Sequence, residues 1–132
     1  MTRKKKINVL FFNKCTNGSH KVRTINIKEI YTMVRHVIIW TLKDEFSEDE
    51  KEKIKAGIKE GLEGLQGKIP GLISIKVNIK GLESSNGDLM LDSLFEDEAS
   101  LKGYSVNPAH VEVATGKVRP YTKIRSCFDY EE

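Results

Sequence analysis

Apolar residues after position 33 alternate between the spacing of β-strands and the spacing of amphipathic helices. Strand spacing is found in four segments, 34–42, 72–79, 88–95 and 120–130. Helical spacing follows the first strand, from Ser47 toward Pro70, and returns in segments 96–104 and 107–116. The order β-α-β-β-α-β predicts a ferredoxin-like α+β fold, in which an antiparallel sheet carries its helices on one face.

The first two of these strands are patterned differently. Segment 34–42 is apolar and β-branched at odd and even positions alike, as in a strand that is buried on both faces. Segment 72–79 alternates instead, which predicts one buried row: Ile73, Ile75, Val77 and Ile79. Because helices cover only one face of the sheet, the first strand predicts an uncovered apolar patch. Stacking of two sheets would bury this patch, so we expect a homodimer.

The long helix has a recognisable start and one predicted buried face. Ser47 and Glu50 have the spacing of a capping box. The apolar residues that follow recur at helical spacing and predict a single buried row: Ile54, Ile58, Leu62 and Leu65. Each glycine inside this segment weakens the helix by up to about 1 kcal/mol relative to alanine. Packing rather than propensity must therefore hold it.

Length and composition fit one globular domain, with 132 residues of which 39% are hydrophobic and 31% charged. No apolar run approaches the roughly 18 residues of a membrane span, and the N-terminus lacks the apolar core of a signal peptide. We therefore expect a cytoplasmic protein without membrane contact. Cys15 and Cys127 match no metal or redox spacing and are predicted to be free thiols, and no metal or cofactor is expected.

The net charge of +3 conceals two regions of opposite sign. Residues 1–32 hold eight Lys or Arg and a single acidic residue, Glu29. Subtracting these from the totals of 22 basic and 19 acidic residues leaves 14 basic and 18 acidic in residues 33–132. An acidic domain of this kind is not expected to bind nucleic acid.

Residues 1–32 are interpreted as a basic N-terminal extension, either disordered or a translated leader, with the domain in residues 33–132. Lys28-Glu29 is what a purine-rich ribosome-binding sequence would encode, at a normal distance from a start codon at Met33. Our hypothesis is that the natural protein starts at Met33. The alternative is a genuine extension with a strand near residues 7–12.

The segment Tyr104-Ser-Val-Asn-Pro-Ala-His110 concentrates the candidate chemistry. Asn107 suits a helix N-cap and Pro108 the first helical position, which places His110 in the first turn. An imidazole kept neutral there could accept a proton, and Tyr104 could donate a hydrogen bond to a developing oxyanion. The alternative is a capping histidine beside a core tyrosine. Arg119-Pro120-Tyr121 either closes a cavity mouth or forms a solvent-facing strand entry.

Several short motifs together resemble one family: His36 in the first strand, the exit 43–45, the turn 69–71, the Tyr104–His110 segment and the closing Phe128-Asp129-Tyr130. They resemble the stress-responsive A/B barrel (Dabb) family over residues 33–132. The resemblance implies a dimeric α/β barrel of two ferredoxin-like protomers packed sheet on sheet. It also implies a small cavity between each sheet and its helices.

The clearest enzymes related to the family that this chain resembles are plant polyketide cyclases. It implies His110 as the base that abstracts a proton for an aldol closure, Tyr104 as the group that orients it, and His36 as a cavity-lining residue. A cavity tyrosine and a cavity histidine of those cyclases align with Ile58 and Leu89 here. The predicted ligand-binding residues are therefore His36, Trp40, Ile58, Leu89 and Asn107. Trp40 has a second interpretation, as a core residue.

Two functions stay open at this point. One is a non-catalytic homodimeric module that binds a small apolar or carbonyl-containing ligand. The other is a cofactor-independent enzyme of the polyketide cyclase or aldol type, with a histidine base and a tyrosine.

Overall fold

The computed structural model describes residues 5–14 and 20–30 as backbone and residues 32–132 with their side chains. Its elements in chain order are β1 (Lys5–Lys14), β2 (His20–Ile30), β3 (Val34–Leu42), α1 (Glu48–Glu63), β4 (Leu72–Asn78), β5 (Leu89–Phe95), α2 (Glu98–Val106), α3 (Pro108–Val113), a π-helical turn (Ala114–Val118) and β6 (Thr122–Glu131). β1 and β2 pair antiparallel in a two-stranded sheet of their own. β1 includes residues 7–12, where the alternative interpretation of the extension placed a strand. The division of the chain at Met33 stays a prediction.

The other four strands form one antiparallel sheet in the order β4-β5-β3-β6. This order puts the first and third strands of the domain in the middle, as in a ferredoxin-like fold, and confirms the predicted fold class. β3 pairs with β5 on one side and with β6 on the other, and β6 is an edge strand.

α1 begins as predicted, and its apolar row packs on the sheet. The backbone N–H of Glu50 donates to Oγ of Ser47 at 3.2 Å, and the N–H of Ser47 donates to Oε2 of Glu50 at 2.8 Å. These two bonds satisfy donors that a helix start otherwise leaves free. Ile58 and Leu62 are fully buried on the face that meets the sheet.

The predicted alternation of β4 is wrong at one position. Ile73 is 41% exposed, whereas Leu72 beside it is buried. The register against β5 shifts between Leu72 and Ser74, and such a bulge moves neighbouring side chains to the opposite face. Beyond the bulge, Ile75 and Val77 are buried as predicted.

The two faces of the four-stranded sheet have different coverings. On β3, Val34, Ile38, Trp40 and Leu42 are buried on the helix side together with His36. Within residues 32–132, no helix covers the opposite face, which carries a mostly apolar patch that we call the open face: Val37, Ile39, Met90, Phe128 and Tyr130. The predicted apolar patch is therefore present.

One charged cluster borders the open face. The guanidinium of Arg35 donates to Oδ1 of Asp92 and to Oε2 of Glu132, both at 2.6 Å. These two carboxylates raise the pKa of Arg35 above its ordinary value. The three charged side chains of this cluster therefore lie at the edge of the mostly apolar open face.

Candidate functional site

The chain reversal between α2 and α3 positions the two predicted catalytic side chains. Asn107 ends α2 and caps α3, because its Oδ1 accepts from the backbone N–H of Ala109 at 3.0 Å and Pro108 follows as the first helical residue. Tyr104 therefore lies in the last turn of α2 and His110 in the first turn of α3. Their rings are in contact, with centroids 4.0 Å apart and planes tilted by 32°.

β3 supplies the opposite wall. His36 and Trp40 both lie on its helix-facing side and are buried. The ring of His36 packs edge-on against that of Tyr104, with the centroids 6.1 Å apart. Four predicted site residues from three elements thus meet in one place.

Between these walls is a cavity of about 380 Å³. Its polar lining groups are His36, Tyr104, Ser105, His110, Arg119, Thr122 and Arg125. The remaining lining is apolar: Ile38, Trp40, Leu62, Leu91, Leu101, Ala114 and Val118. An apolar cavity with a few converging polar groups is the usual form of a small-molecule site, and this volume is near the lower end of such sites.

Two buried polar atoms in this cavity lack a hydrogen-bond partner of good geometry: the Tyr104 hydroxyl and Nδ1 of His110. Tyr104 is only 2% exposed. A buried polar group without a partner costs roughly 1–3 kcal/mol. Most buried polar groups in native proteins have a partner, so two neighbouring exceptions are notable.

Burial also sets the protonation of both groups. It raises the pKa of Tyr104 well above its ordinary value, with a weaker opposing effect from Arg125. Burial lowers the pKa of His110 below 6.5, partly offset by the backbone carbonyls of Ser105 and Tyr104, while His36 and Arg119 lower it further. The site therefore holds a protonated phenol beside an imidazole biased toward its neutral form.

The ring of His36 is oriented by a carboxylate on the edge strand. Nδ1 of His36 donates to Oδ1 of Asp129 at 2.5 Å, because β3 and β6 pair these two residues directly. This bond selects the tautomer and leaves Nε2 available. Sγ of Cys127, on the same side of β6, lies 3.8 Å from Nδ1 of His36.

His36, Cys127 and Asp129 each offer one ligand atom within 4.8 Å of the others, a donor set that could hold a metal ion such as zinc. A metal would have to replace the bond between His36 and Asp129. The guanidinium of Arg125 also acts on Cys127 and opposes a cation there. Cys127 is a free, exposed thiol, which confirms the prediction for this cysteine; Cys15 lies outside the described residues.

Three predicted ligand-binding residues do not line the cavity. Ile58 and Leu89 are buried in the hydrophobic cluster that also contains Trp40 and Tyr104. Asn107 acts as the helix cap described above. A ligand contact by any of these three stays a prediction.

Two residues of the site were missed by sequence reasoning: Arg125, which lines the cavity, and Asp129, which lies outside the lining and bonds His36. The available signal was the alternation of β6, which places residues 125, 127 and 129 on one side. The register that sets Asp129 opposite His36 is not readable from either segment alone.

The architecture and cavity define a ferredoxin-like α+β protein with a small-molecule-sized space between sheet and helices. The family model of the stress responsive A/B barrel domain, Dabb, matches residues 34–132. The chain belongs to this family.

Solved structures show the same fold. The chain is similar to a dimeric protein of unknown function with a ferredoxin-like fold from Bacteroides fragilis, at 27% identity and a TM-score of 0.71, covering 78% of this chain and 100% of that one. It is similar to a Dabb family protein from Mesorhizobium loti at 21% identity and a TM-score of 0.61, covering 76% and 97%. It is also similar to a hydroxynitrile lyase from Passiflora edulis at 18% identity and a TM-score of 0.59, covering 78% and 95%.

Among curated proteins, no sequence match was found. Within the described part of the chain, no helix combines the length and apolar character needed to cross a membrane.

Proposed function

We propose that this chain is a homodimeric module that binds one small ligand per protomer in the cavity between sheet and helices. The observation that carries the proposal is the buried Tyr104 hydroxyl, which lacks a hydrogen-bond partner among residues 32–132, beside the imidazole of His110 at a cavity of about 380 Å³. A ligand that accepts a hydrogen bond from Tyr104 would offset the cost of burying that hydroxyl. The apolar lining favours a ligand with an apolar body and one carbonyl-like acceptor.

Native mass spectrometry of the purified protein tests this binding. We expect a bound species of small-molecule mass that is released on denaturation and can be identified by fragmentation. His110→Ala should fold, because His110 packs little apolar surface, yet retain less of this species. Val106→Ala, on an exposed part of α2, serves as the matched control and should retain all of it. Equal retention by both variants would contradict a ligand held at His110.

The dimer part of the proposal is supported by the open face. Ile39 is 42% exposed and Phe128 69% exposed in the protomer, and both belong to one contiguous sheet surface. The Bacteroides fragilis relative is described as dimeric. Light scattering at micromolar concentration should return twice the protomer mass of 15.0 kDa. A protomer mass would overturn the homodimer.

A second candidate function is cofactor-independent proton transfer next to a carbonyl. The close contact of the Tyr104 and His110 rings and the lowered pKa of His110 favour it, because a neutral imidazole can accept a carbon-bound proton while a protonated phenol stabilises the enolate oxygen. The similarity in fold to a hydroxynitrile lyase is compatible with acid–base chemistry. Exchange of α-protons of small ketones in deuterated buffer, followed by NMR, tests it. If α-proton exchange is no faster with the wild-type protein than with His110→Ala, proton transfer is contradicted and ligand binding remains as the proposed function.

A cytoplasmic location stays a prediction. Fractionation of cells that express the full chain would test it.

A further inference from the structure

Resting on the proposed ligand site, we infer that the ligand is a small organic carboxylate whose anionic end is held at the cavity mouth by Arg119 and Arg125. Both arginines line the cavity and are exposed at its rim. Among residues 32–132, no Asp or Glu lines the cavity, and Asp129, which bonds the lining residue His36, lies outside the lining.

The sign of the charge at the cavity is opposite to the net charge of the domain. Residues 33–132 carry more acidic than basic side chains, yet the cavity presents two guanidinium groups and no carboxylate. Clefts lined by one sign of charge concentrate ligands of the opposite sign. The mouth is thus a local positive site on an acidic domain.

Neither arginine is engaged with an acidic residue in the described part of the chain. Arg35 shows the contrast, because it bonds both Asp92 and Glu132. Residues 32–132 provide no ion pair for Arg119 or Arg125, although Arg125 donates a hydrogen bond to the Cys127 thiol. Their guanidinium groups are therefore available for a carboxylate, which they can bind through two parallel hydrogen bonds.

The two arginines flank the unpartnered polar groups. Arg125 lies directly opposite Trp40 in the β3–β6 pairing and acts electrostatically on Tyr104, and Arg119 acts on His110. A carboxylate at the mouth would thus lie beside the phenol and the imidazole. Half of the lining residues are apolar, and the cavity volume suits the body of a single ring.

Trp40 makes the inference measurable, since it is the single tryptophan of the chain and lines the cavity. Its indole N–H gives one signal in a proton–nitrogen NMR spectrum. We would titrate the full chain with benzoate, with benzamide as a neutral molecule of the same shape, and with inorganic phosphate. Benzoate should bind at least tenfold more tightly than benzamide, and phosphate should leave the indole signal in place.

The paired variants separate a site effect from a net-charge effect. Arg119→Gln with Arg125→Gln should weaken benzoate binding about tenfold, a value set by two largely exposed charge contacts. Benzamide binding should be unchanged in this variant. Lys80→Gln with Lys102→Gln, at two exposed positions outside the cavity lining, removes the same net charge and should leave benzoate binding unchanged.

Each other outcome is decisive. Equal binding of benzoate and benzamide would overturn the carboxylate while leaving the proposed ligand cavity in place. Phosphate binding as tight as benzoate binding would overturn a carboxylate in favour of a general anion site. No response of Trp40 to benzoate or benzamide in folded protein would overturn this inference and count against the proposed function as well.

Discussion

The two faces of the central sheet are both incompletely closed in the protomer, but they are incomplete in different ways. The open face lacks apolar partners, with Ile39 and Phe128 exposed to solvent. The helix-covered face lacks a polar partner, since no residue of 32–132 bonds the buried Tyr104 hydroxyl beside the cavity. Exposed apolar side chains can be buried by another apolar surface. A buried polar group without a partner in a small cavity can instead be satisfied by a small polar molecule. The same sheet therefore indicates a protein partner on one side and a ligand on the other.

The largest expected effect compares two phenylalanines on opposite faces. Phe95 is fully buried under the helices, and Phe95→Ala should lower the free energy of unfolding by about 3–5 kcal/mol. Phe128→Ala, measured in protein kept monomeric by Ile39→Lys, should change it by less than about 1 kcal/mol, because that ring is 69% exposed. Urea titrations followed by circular dichroism measure both. Similar losses would remove the distinction between the faces.

The next effect concerns association. Ile39→Lys places a charge in the middle of the open face and should weaken a dimer by about 2–4 kcal/mol, comparable to loss of an interface hot spot. Size-exclusion chromatography with light scattering should show the protomer mass, with the fold retained. Val106→Lys is the matched control, since Val106 is 74% exposed on the helical side. If Val106→Lys also became monomeric, our assignment of the dimer interface to the open face would be wrong.

Much of the difference between the faces is readable in the sequence. The bounds of β3, the capping box at Ser47 and the helix start at Asn107-Pro108 are local features, and all three are confirmed. The apolar open face follows from a strand that is apolar at odd and even positions. These features depend on neighbours within a few residues, so propensity and periodicity suffice.

The rest depends on pairing over long distances. The bulge that exposes Ile73 arises from the register between β4 and β5, which no single strand specifies. His36 and Asp129 are 93 residues apart and meet only through the β3–β6 register. Arg125 joins the cavity for the same reason. Alternation along β6 predicts which residues share a side, but it does not say which partner each of them meets.

A smaller effect should appear in the pH dependence of stability. The pKa of His110 is lowered from its ordinary 6.5 mainly by burial, with His36 and Arg119 facing it and adding to the shift. The unfolded chain therefore binds a proton at His110 more readily than the folded protein does. Stability from this group is present above pH 6.5 and is lost as the pH falls below it.

His110→Asn should reduce that loss by several tenths of a kcal/mol, because the group is only partly buried and solvent screens it. Urea titrations at a series of pH values between 5 and 8 measure the difference between variant and wild type. A wild type that gained stability on acidification relative to His110→Asn would show that the imidazolium is favoured in the fold.

The most direct test of the unpartnered Tyr104 hydroxyl is the variant Tyr104→Phe, which removes the hydroxyl oxygen and keeps the ring. Because the hydroxyl has no protein partner, the variant should be as stable as wild type or up to about 1–2 kcal/mol more stable. The same variant should retain at least tenfold less of the co-purified ligand, because the hydrogen bond to that ligand is lost. Stability by urea titration and retention by native mass spectrometry are to be measured on the same sample. A less stable variant with unchanged ligand retention would contradict the account, since it would make the Tyr104 hydroxyl a structural group.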